Sequence, residues 1–239
     1  MTNSFRKNRS FNFKRFSVDD GQAGMPVSTD GVLLGAWAHL HNTHRLLDIG
    51  TGTGLLALMC AQRKPQAQIT AIDIDPHAIQ AAQYNVNQSE WASRIQLLMG
   101  DILTLPFAEQ FDTIICNPPY FNTGKSAQQQ QRAIARHTAT LSHSALLQRC
   151  TELLTPQGRA HFILPIQEGT LFIQQAELTG WYLHRLCHVQ PTPNKTAHRM
   201  LIELTLTASE CQPDHLLIRD QFGYSPEFTA LTRDFYLKM

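Results

Sequence analysis

Four consecutive residues, Asn117-Pro118-Pro119-Tyr120, follow a short apolar run and combine an amide, two φ-fixing rings and an aromatic face. Proline has no backbone N–H and holds φ near a single value, so this corner is stiff and its carbonyls point in set directions. The Asn117 side-chain oxygen and the Pro118 carbonyl can accept both hydrogens of one planar NH2 group. Holding both hydrogens favours a tetrahedral nitrogen whose lone pair faces an electrophile. That is positioning and electrostatic catalysis, and it needs no strong base. Tyr120 can stack on a flat ring, worth about 1–3 kcal/mol in base–aromatic contacts. In isolation the same residues also read as a proline turn ending a strand, because Asn-Pro is a common turn opener.

A second constellation lies upstream. Asp48-Ile49-Gly50-Thr51-Gly52-Thr53-Gly54 runs from an apolar stretch into a helical one. Alternate glycines allow a tight turn and let a ligand lie against bare backbone. Dinucleotide sites use similar chemistry, with G-x-G-x-x-G and a pyrophosphate at the helix N-terminus. Here the spacing is G-x-G-x-G and Asp48 precedes it, which suits a nucleoside carrying ammonium and sulfonium charges, as S-adenosylmethionine does, and would repel a pyrophosphate. Asp73 closes the next apolar run, where a carboxylate can accept both ribose hydroxyl hydrogens. Asp101, after Gly100, can accept from an adenine amino group, or else is a turn residue. Asp75 is better explained as a helix cap. Gly124-Lys125-Ser126 resembles the end of a P-loop, but Pro119 stands where the first glycine must be, so no ATP site is implied.

These residues need a scaffold that brings them to one edge. Val32, Leu33, Leu34, Ala36, Trp37 and Leu40 supply an apolar helix face, with Asp30 as its candidate cap. Strands are expected at 45–50, 69–73, 95–100, 111–116, around 159–165, 181–189 and 200–207, the last two as an antiparallel pair. Helices are expected at 55–63, after Asp75-Pro76, and from about Ser142 to Leu154. Strand and helix alternate, which implies an α/β fold: a mostly parallel seven-stranded sheet, one antiparallel strand, helices on both faces. Ligands in such sheets sit beyond the carboxyl ends of the strands, and every motif above falls at such an end.

Composition agrees with one folded unit: 239 residues, 43% hydrophobic and 16% charged. No run of about 18 apolar residues predicts a membrane span, and the N-terminus has no apolar signal core. The five cysteines and eleven histidines are scattered without ligand spacing, so neither a disulfide framework nor a metal site is expected. A cytoplasmic address and a monomer are the expectations. Net charge is only +1, yet the first sixteen residues hold Arg6, Lys7, Arg9, Lys14 and Arg15 with four phenylalanines and no acid. Such a segment can meet phosphates and stack on bases, or it is a solvated tail entering a strand whose phenylalanines are core. Residues 1–28 are read as a basic, aromatic extension serving substrate binding, and 29–239 as the main domain. The polar stretch 121–137 carries Lys125, Arg132 and Arg136, which can reach phosphates from a flap or lie in a solvated loop.

The glycine loop with its acids and the NPPY corner together resemble the class I S-adenosylmethionine-dependent amino methyltransferases. Within that class the chain is similar, over nearly its whole length, to the bacterial enzymes that N6-methylate the adenine beside the anticodon of valine tRNA. The segments carrying this are FNFKRFSV (11–18), MPVSTDGVLLGAW (25–37), LLDIGTGTG, NPPYFNTGK (117–125), RAIARH (132–137) and YSPEFTALTRDFYL (224–237). The resemblance implies a Rossmann-like class I methyltransferase fold, S-adenosylmethionine as cofactor, tRNA as partner, and Thr29 and Asp30 beside the methionine end of the cofactor. Where that family commonly has lysine before Thr29, this chain has Pro26-Val27-Ser28. Other readings remain: N6-adenine methylation of another RNA or of DNA, methylation of a glutamine amide in a release factor, or an RNA-binding module without catalysis. A DNA enzyme needs a further segment to read base edges. Release-factor enzymes carry an N-terminal helical domain, for which only about 28 residues are at hand.

Overall fold

The computed structural model describes residues 10–21, 26–118 and 141–238. The expected strands are β3 (Arg45–Ile49), β4 (Gln68–Asp73), β5 (Ile95–Met99), β6 (Phe111–Cys116), β7 (Leu154–Pro165), β8 (Tyr182–Gln190) and β9 (Arg199–Thr205). They follow a small antiparallel hairpin of β1 (Ser10–Asn12) and β2 (Ser17–Asp19). The helices are α1 (Thr29–Trp37), α2 (Leu55–Arg63), α3 (Pro76–Asn87), α4 (His143–Leu153), α5 (Ile166–Leu178) and α6 (Pro226–Thr232).

The sheet has eight strands where the sequence predicts seven, in the order β10 (Gln212–Leu217), β8, β9, β7, β6, β3, β4, β5. The added one, β10, is an edge strand that buries only Leu216 and contains Pro213, so it lacks the apolar alternation that marks a strand in sequence. It runs parallel to β8. As expected, one strand is reversed: β9 is antiparallel to β7 and to β8, which makes 181–189 and 200–207 an antiparallel pair. The carboxyl ends of β3, β4, β5, β6, β7, β8 and β10 therefore lie along one edge.

Side chains alternate between two faces along each strand. Leu46, Ile115, Ile163 and Leu201 join Val32, Leu33, Leu58 and Phe228 in one buried cluster. Leu47, Ile49, Ile114, Phe162 and Ile202 join Leu146, Leu147 and Phe172 in the other. Helix α5 is absent from the expectations above. Its outer residues Leu171 and Leu178 are exposed while Gly169, Phe172 and Ala176 are buried, so its apolar residues do not fall on one face. A Cβ at Gly169 would come within 2.9 Å of Met200 Sδ, so a larger residue there would push the Met200 side chain aside.

Caps fix the entries to the site. Asp75 caps α3 through its bond from His77 N–H, with Pro76 at the first helical position. The cap of α1 is Ser28, whose Oγ accepts from Gly31 N–H, and not Asp30, which lies in the first turn. Four of the cysteines are buried and Cys211 is exposed.

Candidate functional site

Strand β3 ends in the glycine loop, and three of its glycines hold left-handed backbone: φ is +70° at Gly50, +56° at Gly52 and +83° at Gly54. An L side chain pays for that conformation, which is why glycine recurs at alternate positions. A Cβ at Gly50 or Gly52 would meet nothing within 4 Å, so both alpha carbons face open space. The loop is pinned from β4: Gly50 and Thr51 N–H donate to the Ile72 carbonyl, and Gly52 N–H donates to Asp73 Oδ2 at 2.8 Å.

Asp48 is fully buried at the end of β3. Its Oδ2 accepts from Thr51 Oγ1 at 2.6 Å and from Ala57 N–H at 3.1 Å, while Oδ1 has no hydrogen-bond partner among the described residues. Burial pushes its carboxyl up to about 7, against the pull of those two bonds. Asn117 directly follows Cys116, which pairs with Ile49 across β3 and β6. Its Oδ1 is likewise buried and has no partner among the described residues. Pro118 beside it is buried. Buried polar groups are nearly always hydrogen-bonded, so two orphaned acceptors at adjoining strand ends, flanking open glycine backbone, form a cradle for a ligand that donates. That fits a cofactor bearing an ammonium and a substrate bearing an amine.

Asp73 holds the loop and its own neighbour: besides Gly52, it accepts from Asp75 N–H at 2.9 Å through Oδ1. Burial raises its carboxyl above the ordinary range, and the bonds from Asp75 and Gly52 counter part of that. Asp101 lies just past β5, next to Asp73 through the Gly100 N–H bond to the Asp73 carbonyl at 3.0 Å. Its Oδ1 accepts from Leu103 N–H at 2.9 Å, so Asp101 does form a turn.

Thr29 and Asp30 open α1. A Cβ at Gly31 would come within 2.9 Å of Leu55 Cδ2, so the first turn of α1 lies against the first residue of α2, immediately after the glycine loop. Asp30 Oδ2 accepts from Arg199 Nε at 2.8 Å. The structure thus gathers Thr29, Asp30, Asp48, Gly50, Gly52, Gly54, Asp73, Asp101, Asn117 and Pro118 at the carboxyl edge of neighbouring strands. Pro119, Tyr120, Lys125, Arg132, Arg136 and His137 lie outside the described residues, as do Arg6, Lys7 and Arg9.

Lys14 and Arg15 go elsewhere. Arg15 pairs with Glu90 at 2.8 Å and lies over Trp91, beyond the end of α3, while Lys14 Nζ donates to the Arg233 carbonyl at 2.5 Å. Gln62, near the end of α2, donates to the carbonyl of Asp234. Both α2 and α3 run from the carboxyl edge of the sheet to its amino edge, so Lys14 and Arg15 lie at the edge opposite the site. Phe13 and Phe16 stack at 4.6 Å and are core.

Two contributors escaped the sequence reading. Asn85 on α3 is buried, accepts from Asp19 N–H, and donates to the carbonyls of Asp19 and of Thr53, each at 2.9 Å. It ties the N-terminal hairpin to the glycine loop. A mid-helix asparagine on the apolar side is the signal that could have found it. Ile74, between Asp73 and Asp75, is a large apolar side chain left exposed at the same strand end. Among the described residues no cluster of His, Cys, Asp or Glu could hold a metal ion, and no helix is long and apolar enough to cross a membrane.

The family "Methyltransferase small domain" matches residues 31–159. The tRNA1(Val) (adenine(37)-N6)-methyltransferase of Vibrio vulnificus strain CMCP6 is 58% identical over 239 residues, covering 100% of both chains. The protein of the same name from Vibrio cholerae strain M66-2 is 55% identical over 234 residues and 97% of each chain. Among solved structures, one described as a predicted O-methyltransferase from Agrobacterium tumefaciens superposes with a TM-score of 0.67 at 17% identity, covering 86% of this chain and 96% of that one. That last likeness concerns the fold.

Proposed function

The chain belongs to the tRNA1(Val) (adenine(37)-N6)-methyltransferase family, and from that membership we propose that it transfers a methyl group from S-adenosylmethionine to N6 of the adenine next to the anticodon of valine tRNA. The observation that carries the reading is the pair of unpartnered buried oxygens, Asp48 Oδ1 and Asn117 Oδ1, on either side of open glycine backbone.

Asp48 and the backbone of Gly50, Gly52 and Gly54 would hold the amino-acid end of the cofactor, with Thr29 and Asp30 closing it from α1. Asp73 would accept the ribose hydroxyls, Ile74 would lie against the adenine, and Asp101 would accept from its amino group. When bound, S-adenosylmethionine supplies a methyl group made electrophilic by its sulfonium.

Asn117 acts on the other partner. Its Oδ1, together with the Pro118 carbonyl, accepts the two N6 hydrogens of the target adenine and turns the nitrogen lone pair toward the donor. Neither group removes a proton before transfer; once the nitrogen is methylated it is cationic and acidic, and its surplus proton passes to solvent. The catalytic contribution is orientation plus stabilisation of positive charge growing on nitrogen. An anticodon loop already exposes its bases, so the target leaves its stack at a cost of only about a few kcal/mol.

The test is to incubate the purified protein and methyl-labelled S-adenosylmethionine with valine tRNA, other tRNAs, duplex DNA and a release factor, and to map the product. Label in N6-methyladenosine beside the valine anticodon is expected. Label in DNA, or in a glutamine amide, overturns the assignment.

A further inference from the structure

The basic residues of the N-terminal segment that the structure describes lie at the edge of the sheet away from the target base. The edge that carries the site offers another surface. After β10 the chain rises past the end of β8, where Ile218 and Arg219 N–H donate to the carbonyls of Gln190 and Pro191. It then turns through residues 219–224. This turn presents Phe222 with 89% of its surface exposed. Asp220 Oδ1 accepts from the N–H groups of both Phe222 and Gly223, Asp220 N–H donates to the Gly223 carbonyl, and Arg219 bridges Tyr224. Ser225 Oγ donates to the Leu217 carbonyl and closes the base of the turn. The Arg219 guanidinium lies 4.1 Å over the Tyr224 ring, which stacks at 4.9 Å on buried Phe228. Lys195, exposed in the connection from β8 to β9, stands on the same edge.

We propose that this turn is a docking surface for the tRNA substrate: Phe222 stacks on an unpaired base flanking the target, and Arg219 and Lys195 meet backbone phosphates. An aromatic side chain held out on a rigid turn forgoes burial of its own apolar area, which a stacking partner restores without ordering a mobile loop. Cations beside an exposed ring are the combination that single-stranded nucleic acid recognises. Position agrees. Four strand spacings separate β6 from β10, roughly 19 Å at the usual distance between strands, so an RNA whose adenine enters at Asn117 lays its neighbouring nucleotides along this edge. The inference rests on the tRNA-methylation reading.

The test compares wild type with Phe222→Ala, Phe222→Trp, Arg219→Gln and Lys195→Gln in methylation of valine tRNA, with S-adenosylmethionine affinity and thermal melting measured alongside. Phe222→Ala raises the KM for tRNA about tenfold with kcat, cofactor affinity and melting unchanged, and Phe222→Trp stays near wild type. Each charge substitution lowers the salt slope of tRNA affinity by about one. If wild type methylates valine tRNA and Phe222→Ala leaves its KM within twofold, the docking surface is wrong while the function stands. If wild type methylates no tRNA, both are wrong. If Phe222→Ala changes the sedimentation of the protein and not the KM for tRNA, the surface receives a second copy of the chain and the proposal is overturned.

Discussion

Asp48 and Asn117 stand at the ends of paired strands β3 and β6, and each buries a side-chain oxygen that no donor of the described protein reaches. Leaving a buried polar atom unsatisfied costs about 1–3 kcal/mol. Trp37, Gln62 and Trp181 each bury one too, but Asp48 and Asn117 do so at adjoining strand ends beside open glycine backbone, which suits a ligand that donates. The division of labour follows from charge. The carboxylate suits a cationic cofactor, and the amide suits a neutral amine.

With Asp48 holding the cofactor as proposed, cofactor binding should depend on pH. Its carboxyl titrates at about 7 because burial disfavours the charged form. An acid raised in the folded state holds its proton more tightly there than in the unfolded chain. For this group, therefore, stability falls as pH climbs from about 4 to about 7. An arriving ammonium favours the carboxylate. S-adenosylmethionine affinity should then rise with pH up to about 7, with a proton released on binding near pH 6. Calorimetry in buffers of different ionisation enthalpy checks this, and Asp48→Asn should abolish the buffer dependence.

Gly50→Ala separates backbone conformation from crowding. Nothing lies within 4 Å of the added methyl group, yet φ is +70°. The variant should lose about 1–2 kcal/mol of stability in denaturant from left-handed strain alone. Its cofactor affinity should fall about a hundredfold, roughly 2.7 kcal/mol, because the methyl group would enter the space the ligand uses. A loss in stability with unchanged affinity would remove Gly50 from the binding surface.

Asn85→Ala tests the support behind the loop. Three hydrogen bonds go at once, and the carbonyls of Asp19 and Thr53 lose their amide donor. Stability should fall by about 2–3 kcal/mol. Cofactor affinity should drop several-fold with kcat at saturation unchanged, since Asn85 touches the loop and not the reacting atoms.

At the far side of the sheet, Glu203 is fully buried and faces Arg159 at 2.6 Å, Arg185 at 3.2 Å, and His39 and His161 at 3.4 Å each. Burial disfavours its charge, but the bond and charge of His161 and the charges of His39 and Arg159 outweigh that and hold the carboxyl well below its usual range. An acid lowered on folding stabilises fully above its unfolded value and loses that contribution as pH falls toward the folded one. Glu203→Gln should therefore cost about 3 kcal/mol near neutrality, toward the low end for a broken buried pair because Arg159 still reaches water. The gap from wild type should narrow below about pH 4.5. Unfolding in urea at several pH values checks both.

Much of this site was legible because its residues are dictated by backbone and charge. Gly50, Gly52 and Gly54 recur at alternate positions since the turn needs left-handed φ, and Asp48, Asp73 and Asn117 each close an apolar run, so their edge follows from strand direction. Helix α5 and strand β10 were not legible: one exposes two leucines and accommodates Met200 through a glycine, the other is a mostly polar edge. Sequence points to Asp30 as the cap where the structure has Ser28, since both are good capping types and only the geometry distinguishes the residue before the helix from one inside it. Asn85 acts through Asp19 and Thr53, distant in sequence, and only its place on the apolar side of α3 hints at it; Phe222 stands in a short turn whose neighbours show no apolar pattern.

The most direct test of the account is a single-turnover measurement with Asn117→Ala at saturating S-adenosylmethionine and valine tRNA, beside a cofactor titration of the same variant. Methyl transfer should slow by about a hundredfold or more while the cofactor dissociation constant stays within about twofold of wild type. Transfer at close to the wild-type rate would contradict the claim that this amide grips the amine.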